Sequence, residues 1–254
     1  MAKIIALAIQ KGGSAKTTTA ANVAAEFAAK GYKTLLVDGD PQANLTTGLG
    51  FRDPATTKIG LYDALMGLID YIPTLQYNEN LYLVPSNIDL SAAEMELVNV
   101  MMRETRLKSI LEPIKDQYDF IVIDCAPTLS ILTINALSAA DYVFVPVETE
   151  YYALSGLDKL LNLRQMIEDR VNPQLRLGGI ILTRHDSRVV LHRDIVEDIR
   201  KVMPEGTVLD TIIRKNVSIG EAAARGLTIF DHAPESNGAI DYKNVTAEIL
   251  ERVL

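Results

Sequence analysis

Residues 4–30 constrain this chain more than any other stretch. An apolar run, Ile4 to Ile9, passes straight into Gln10-Lys11-Gly12-Gly13-Ser14-Ala15-Lys16-Thr17-Thr18-Thr19, and a helical pattern runs from Thr17 to Lys30. A strand, a glycine-rich turn and a helix in that order make a cradle for phosphate. The two glycines let the backbone curl so that its N–H groups point at phosphate oxygens, and the helix N-terminus adds partial positive charge. Lys16 is placed to reach a nucleotide's β- and γ-phosphates, and the Thr17 hydroxyl to ligate Mg²⁺. The strict pattern G-x-x-x-x-G-K-[ST] is not met, because Gln10 stands where the first glycine belongs and Ala15 where the second does.

Further apolar runs lie at Thr34 to Val37, Leu81 to Val84, Phe120 to Ile123, Tyr142 to Val147, Gly179 to Leu182 and Val208 to Ile212. Several are apolar almost throughout, the pattern of a strand covered on both faces, as in a parallel sheet flanked by helices. Between them, Ser91-Ala92-Ala93-Glu94 reads as a capping box ahead of Met95, Leu97, Val98 and Met101. Leu191, Ile195, Ile199 and Val202 mark another amphipathic helix. The expected fold is a doubly wound α/β layer structure with a mostly parallel sheet, one domain over residues 1–254. No room is expected for an N-terminal helix-turn-helix domain.

Two of the runs end in carboxylates. Val37-Asp38-Gly39-Asp40-Pro41-Gln42-Ala43-Asn44 follows the second strand, and Ile123-Asp124-Cys125-Ala126-Pro127 follows a later one. Carboxylates at the C-terminal ends of strands face the crevice where open α/β sheets bind ligands. An apolar strand ending in Asp124 can hold Mg²⁺, usually through a water.

Composition excludes several classes. At 254 residues and 48% hydrophobic, the chain buries a full core, and the absence of Trp argues against an aromatic platform for nucleic acid. Cys125 is the only cysteine, which points to a reducing cytoplasm and to a buried small side chain rather than a nucleophile. His185, His192 and His232 show no metal-site spacing and read as surface residues. No run approaches the ~18 apolar residues of a membrane span. The net charge of −8 is uneven. Residues 184–225 carry eight Lys/Arg against seven Asp/Glu, a local +1, which leaves −9 for the remainder.

The phosphate loop matches K-G-G-x-x-K-[ST], the deviant Walker A pattern, and with Asp38 to Gln42 and Phe120 to Asp124 the chain resembles the ParA/Soj family of partition ATPases, from Ile4 to about Glu251. The wider class includes MinD and the nitrogenase iron protein. The resemblance implies ATP and Mg²⁺ as cofactors, bound by Lys11 to Thr18. It implies a homodimer sandwiching ATP, in which Lys11 crosses to the partner's nucleotide. Asp40 would position the attacking water and, with Thr17 and Asp124, serve the metal. Lys11, Lys16 and Asp40 are thus the candidate catalytic residues. Asp38 and Asn44 would lie in a region sensing the γ-phosphate, and Asn216 would contact the base. Non-specific duplex DNA and a ParB-like centromere-binding protein are the implied partners, and the cytoplasm the location, on the nucleoid when ATP is bound.

Arg188 matches a DNA-binding arginine of the family. Arg193, Lys215 and Arg225 join it as candidates by charge. Tyr151-Tyr152 suits core or dimer packing. Rival readings lack their signatures. One cysteine cannot supply an Fe–S pair, and the tail after Tyr242 balances Lys and Arg against Glu, unlike a membrane-targeting helix, so it reads as a packed terminal helix. A small-molecule synthetase or a protein-positioning ATPase without DNA binding remains the alternative on this scaffold.

Overall fold

The computed structural model describes residues 1–150 and 153–254, and the side chains of all of these except 153–155. Tyr151-Tyr152 therefore lies outside the described residues. The strands are β1 (Lys3–Leu7), β2 (Thr34–Gly39), β3 (Leu75–Gln76), β4 (Leu81–Val84), β5 (Phe120–Cys125), β6 (Tyr142–Glu148) and β7 (Arg176–Thr183). The longer helices are α1 (Lys16–Ala29), α2 (Asn44–Gly48), α3 (Leu61–Met66), α4 (Leu90–Glu96), α5 (Arg106–Leu111), α6 (Ile131–Ala139), α7 (Ala153–Arg170), α8 (Val190–Val202), α9 (Val217–Ala224), α10 (Ile229–His232) and α11 (Asn237–Val253).

Among the described residues, the strands form one sheet in the order β3-β4-β2-β5-β1-β6-β7, parallel except for the β3–β4 pair. The alternation of side chains explains why the runs read as apolar throughout. On β1, Ile4 and Ala6 face a layer that includes α3 to α8, while Ile5 and Leu7 face one that includes α1, α2, α10 and α11. On β5, Ile121 and Ile123 take the first side, and Phe120 and Val122 the second. Both faces are dry, so every position on these strands is selected for burial. The terminal helix α11 packs through Tyr242, Val245, Ile249 and Val253, as expected for a packed tail. The Tyr242 hydroxyl meets the Thr19 hydroxyl of α1 at 3.3 Å.

The segment Val208 to Ile212 is not a strand. Val208 forms one isolated bridge with Ile180, and then the Asp210 and Thr211 N–H groups donate to the Glu248 carboxylate at 2.7 and 2.8 Å. The Ile180 N–H bonds the Thr207 carbonyl and the Leu209 N–H the Ile180 carbonyl, both at 2.9 Å, and the bonds to α11 then interrupt the ladder along β7. The Ser91–Glu94 capping box is also absent. The turn begins earlier, at Asn87, whose side chain accepts the Asp89 N–H, and Asp89 is already helical in backbone. The helix ends at Glu96, so the periodic face is not sustained: Leu97 is buried, whereas Met95, Val98 and Met101 are exposed. In α8, Val196 and Ile199 are buried, Ile195 is half-buried, and Leu191 and Val202 face solvent.

Beneath α1 the Phe27 ring stacks on Phe120 of β5, with centroids 4.2 Å apart, and Tyr32 closes the cluster edge-on at 5.1 Å. This stack fixes the helix that carries the phosphate loop to the central strand that carries Asp124. Phe27→Ala leaves a cavity at a fully buried site and should destabilise the fold by about 3–5 kcal/mol. Urea unfolding should show a lower midpoint at unchanged slope; an unmoved midpoint would mean that α1 is held by something else.

Candidate functional site

The loops after β1, β2 and β5 meet at one edge of the sheet, where β1 separates strands reached in opposite directions. That is the place where open parallel sheets bind ligands. A cleft of about 770 Å³ opens there, lined by Gly12 to Thr18, Asp40, Asn44, Arg184 and residues 213–217. Gly12 and Gly13 are exposed on its floor, and Gly13 has φ +78°.

Ala15 also sits in the left-handed region, at φ 66° and ψ 23°, as the residue that caps α1. This is the conformation glycine adopts without a steric penalty, and the alanine methyl costs about 1 kcal/mol there. The loop is held from inside. The Lys11 carbonyl accepts bonds from the Lys16 ammonium (2.9 Å) and the Ser14 hydroxyl (3.2 Å), and the Thr183 hydroxyl at the end of β7 donates to the Ser14 carbonyl at 3.2 Å. Lys16 is buried, and loss of hydration lowers its pKa against the opposing pull of Asp124, Cys125 and Asp40.

The strand register sets Asp38 opposite Asp124. Gly39 makes this closeness possible, because a Cβ there would lie 2.7 Å from the Asp124 carbonyl oxygen. Asp38 is fully buried, and that burial pushes its carboxyl up to about 6, opposed by hydrogen bonds. Its Oδ2 accepts from the Thr46 N–H (2.8 Å) and hydroxyl (2.6 Å), and its Oδ1 from the Asp40 N–H (3.2 Å). Asp38 therefore anchors α2 beneath the cleft, between Asp40 and Asp124, and does not itself line it. Asn44 does line the cleft, at the first turn of α2. Asp40 lines it too, accepting the Gln42 N–H at 2.9 Å, while its carbonyl takes a bond from the Ser86 hydroxyl at 2.8 Å.

Asp124 differs from both. It is fully buried, and neither carboxylate oxygen has a hydrogen-bond partner. Burial, then the charge on Asp38, raises its pKa well above the usual range, while the nearby Thr17 hydroxyl and Lys16 pull the other way. A buried carboxylate without donors is costly. Two orphaned oxygens near a threonine hydroxyl suit a hard, oxygen-ligated cation. Among the described residues no cluster of three His, Cys, Asp or Glu could hold a metal, so at most one further carboxylate joins Asp124 there, and the remaining ligands must be hydroxyls, waters or phosphate oxygens.

Lys11 is turned towards its own chain. Its ammonium lies 3.0 Å from Glu150 and 3.5 Å from Glu148, and Arg184, at φ 55°, bonds the other oxygen of Glu148 at 2.8 Å. The bond from Lys11 lowers the Glu150 pKa. Asn216 lines the cleft as the cap of α9, its side chain accepting the Ser218 N–H at 2.8 Å.

The basic candidates separate. Arg188 is exposed but paired with Asp186 at 2.8 Å, and Arg193 donates to the Ser187 carbonyl in the same loop. Lys215 lines the cleft and its N–H bonds the His185 carbonyl, whereas Arg225 lies beyond α9. Arg214 is clamped to the buried Asp241 carboxylate. The histidines are half-buried, not surface residues: His192 Nδ1 accepts the Asp186 N–H at 3.0 Å, and His232 meets Glu221 at 3.4 Å. Cys125 is buried, and burial pushes its thiol up, as suits an inert side chain. Glu148, Glu150, Arg184 and Ser86 were not singled out from the sequence, since their contacts span 36 residues or more, and neither was Thr46, whose bonds to Asp38 span eight.

Sheet order, phosphate loop and paired strand-end carboxylates define a P-loop nucleotide-binding protein of the MinD/ParA type. A family model described as "AAA domain" matches residues 2–177. The sporulation initiation inhibitor protein Soj of Bacillus subtilis is 43% identical over 251 residues, covering 98% of each chain. The chromosome-partitioning ATPase Soj of Treponema pallidum is 42% identical, covering 99% of this chain and 98% of that one. Among solved structures, cobyrinic acid a,c-diamide synthase from Mycobacterium smegmatis, with bound ADP and magnesium, superposes with a TM-score of 0.87 at 34% identity, over 99% of this chain and 95% of that one. The chain belongs to the ParA/Soj family of chromosome-partitioning ATPases.

Two outcomes follow from this geometry. Ala15→Gly relieves the left-handed strain, partly offset by a freer unfolded chain, and should raise Tm by about 2 °C; a fall would mean the methyl packs usefully. Asp124→Asn removes a buried charge. Because the folded pKa of Asp124 is raised, its stability contribution is full below the unfolded value near 4 and is lost as pH rises towards the folded value. In protein free of nucleotide and metal, Asp124→Asn should therefore be more stable than the parent at pH 8, with the gap closing towards pH 4. A gap independent of pH would show that the Asp124 charge is compensated.

Proposed function

We propose that this chain is a partition ATPase whose ATP-bound homodimer binds duplex DNA without sequence preference and lets go on hydrolysis. The observation that carries this reading is the cleft itself, in which a curled phosphate loop, a buried lysine and an unpartnered buried aspartate converge. Lys11 to Thr18 bind the phosphates of ATP, and Asn216 contacts the base. Thr17, Asp124 and Asp40 hold Mg²⁺, which when bound neutralises charge on the phosphoryl oxygens. ADP and magnesium in the synthase relative support this choice of ligands. Asp40 orients the attacking water. Its loop is braced by Ser86 and by the Asp38–Thr46 bonds, so the carboxylate is set before substrate arrives.

Lys11 has two sets of partners. In the single chain it neutralises Glu148 and Glu150. In the dimer it exchanges them for the phosphate of the other subunit, and the γ-phosphate tips that exchange. Hydrolysis returns it home. Arg188, Arg193, Lys215 and Arg225, doubled by the two-fold axis, provide the DNA face, with steep salt dependence. A ParB-like protein at a centromere-like site stimulates hydrolysis, and the complex works in the cytoplasm on the nucleoid. Among the described residues, no helix is long and apolar enough to cross a membrane.

A second reading, small-molecule synthesis, is favoured by the 34% identity to the diamide synthase. DNA binding separates the two. Measured with ATP, ADP and no nucleotide at two salt concentrations, affinity for non-specific duplex should require ATP and fall at least tenfold from 50 to 200 mM salt, given ~4 or more phosphate contacts. ATP binding with no DNA affinity would favour the synthetase. Asp40→Ala should hold the ATP dimer on DNA and cut turnover by about 100-fold or more; normal turnover would remove Asp40 from the water's path.

A further inference from the structure

Helix α9 walls one side of the cleft with little packing to hold it there. Its cap Asn216 and its residues Val217, Ile219, Gly220 and Ala223 line the cleft, yet Ala222 is the only residue of the helix that is buried. Ile219 lies against Gly238 of α11, where a Cβ would come within 2.8 Å of its Cγ1, and Glu221 meets His232 of α10 at 3.4 Å. A two-turn helix that buries so little apolar area is weakly fixed by packing alone. A further attachment is polar and comes from the opposite wall. Arg52, which follows α2, donates from Nη2 to the Ala224 carbonyl at 2.6 Å and the Ala223 carbonyl at 3.3 Å, and from Nε to the Thr47 carbonyl at 3.3 Å. One guanidinium thus serves the last-turn carbonyls of both α2 and α9, where a cation is favoured. Beside it, backbone meets backbone. Gly226 has φ +77°, and a Cβ there would lie 2.6 Å from the Gly50 Cα. Glycine at both positions lets the segments leaving the two helices touch.

We infer that Arg52 is a positioning residue that fastens α9 to α2, so that the base side of the cleft is set against the phosphate side before nucleotide arrives. Of the two helices, α2 is the fixed one: Leu45 is buried and Thr46 is tied to Asp38. The junction joins the C-terminal ends of the helices, and at their opening ends Asn44 and Asn216 line the cleft. A nucleoside triphosphate spans both sides, with its phosphates on the loop from Lys11 to Thr18 and its base against α9. Inorganic tripolyphosphate reaches the loop alone. Setting α9 in place beforehand therefore favours only a ligand that carries a base, because the cost of ordering that wall is no longer met on binding. The effect on ligands rests on the proposed placement of the base at Asn216; the fastening does not.

The test uses the full chain with Mg²⁺ and compares two ligands by calorimetry, the non-hydrolysable ATP analogue AMPPNP and inorganic tripolyphosphate. The parent should bind AMPPNP the more tightly. Arg52→Ala, at an exposed side chain, should weaken AMPPNP by about tenfold, as expected for the loss of two or three hydrogen bonds, and leave tripolyphosphate within about twofold. Arg52→Lys keeps the charge and one donor group, and should recover part of the loss. Gly226→Ala forces the two segments apart without touching the guanidinium, and should give the same split between the ligands. Equal losses for both ligands would make Arg52 a phosphate contact or a general support of the fold. No loss for either would mean that α9 is held without it. Each of these results overturns the inference. A parent that binds both ligands equally would remove the base from α9, and the ligand effect would fall with that reading. Amide exchange separates the two failures. In the nucleotide-free chain, the N–H groups of Ala222 to Arg225 should exchange about tenfold faster in Arg52→Ala; unchanged exchange would overturn the fastening itself, wherever the base lies.

Discussion

Three carboxylates and one ammonium, all buried within the C-terminal edge of a parallel sheet, are the constraint on which the rest of this protein depends. Asp38, Asp40 and Asp124 outnumber Lys16. The three acids are handled differently. Asp38 is satisfied by Thr46 and the Asp40 N–H, Asp40 accepts a bond from its own loop, and Asp124 is left without any donor. An arrangement with excess buried negative charge is poorly stable alone and gains most from a ligand that brings cations with it. The site is thereby matched to a metal-bound polyphosphate before any catalytic role is considered. The tight packing that surrounds it, from the Phe27–Phe120 stack to Gly39 against Asp124, keeps those charges from relaxing apart.

In the dimer proposed above, Lys11 would add a switch to this trap. Its pair with Glu150 is exposed at the carboxylate and therefore weak, so that contact would give little resistance to a move across the proposed subunit interface. A weak intramolecular pair is the appropriate competitor for a γ-phosphate that must win only when present. Under that proposal, stronger home contacts would lock the chain as a monomer. The Glu148–Arg184 bond restrains Glu148 from following the lysine, which keeps the home position available for return.

The sequence made the central elements legible because they are written locally. The phosphate loop, the strand-end aspartates and the doubly covered strands are each contiguous, with periodicities that physical rules read directly. What failed was tertiary. Val208 to Ile212 has a strand's composition, yet Glu248, far along the chain, takes the Asp210 and Thr211 N–H groups. Met95, Val98 and Met101 have a helix's spacing, yet the helix stops at Glu96 and leaves them in solvent. Asp38 was legible as a strand-end carboxylate, but its partner Thr46 was not. The bracing residues Ser86, Glu148 and Arg184 carry no local signal. The basic window was legible as charge, though not its pairing, since Arg188 and Arg214 turned out to be held by Asp186 and Asp241.

The central claim is that the γ-phosphate moves Lys11 from its own chain to a partner. Sedimentation velocity with Mg·ATP, with Mg·ADP and without nucleotide tests it most directly. The account predicts a dimer with ATP alone, and a Lys11→Ala chain that still binds nucleotide but stays monomeric in all three conditions. A mass that ignores the nucleotide, or a Lys11→Ala chain that dimerises as readily as the parent, would contradict it.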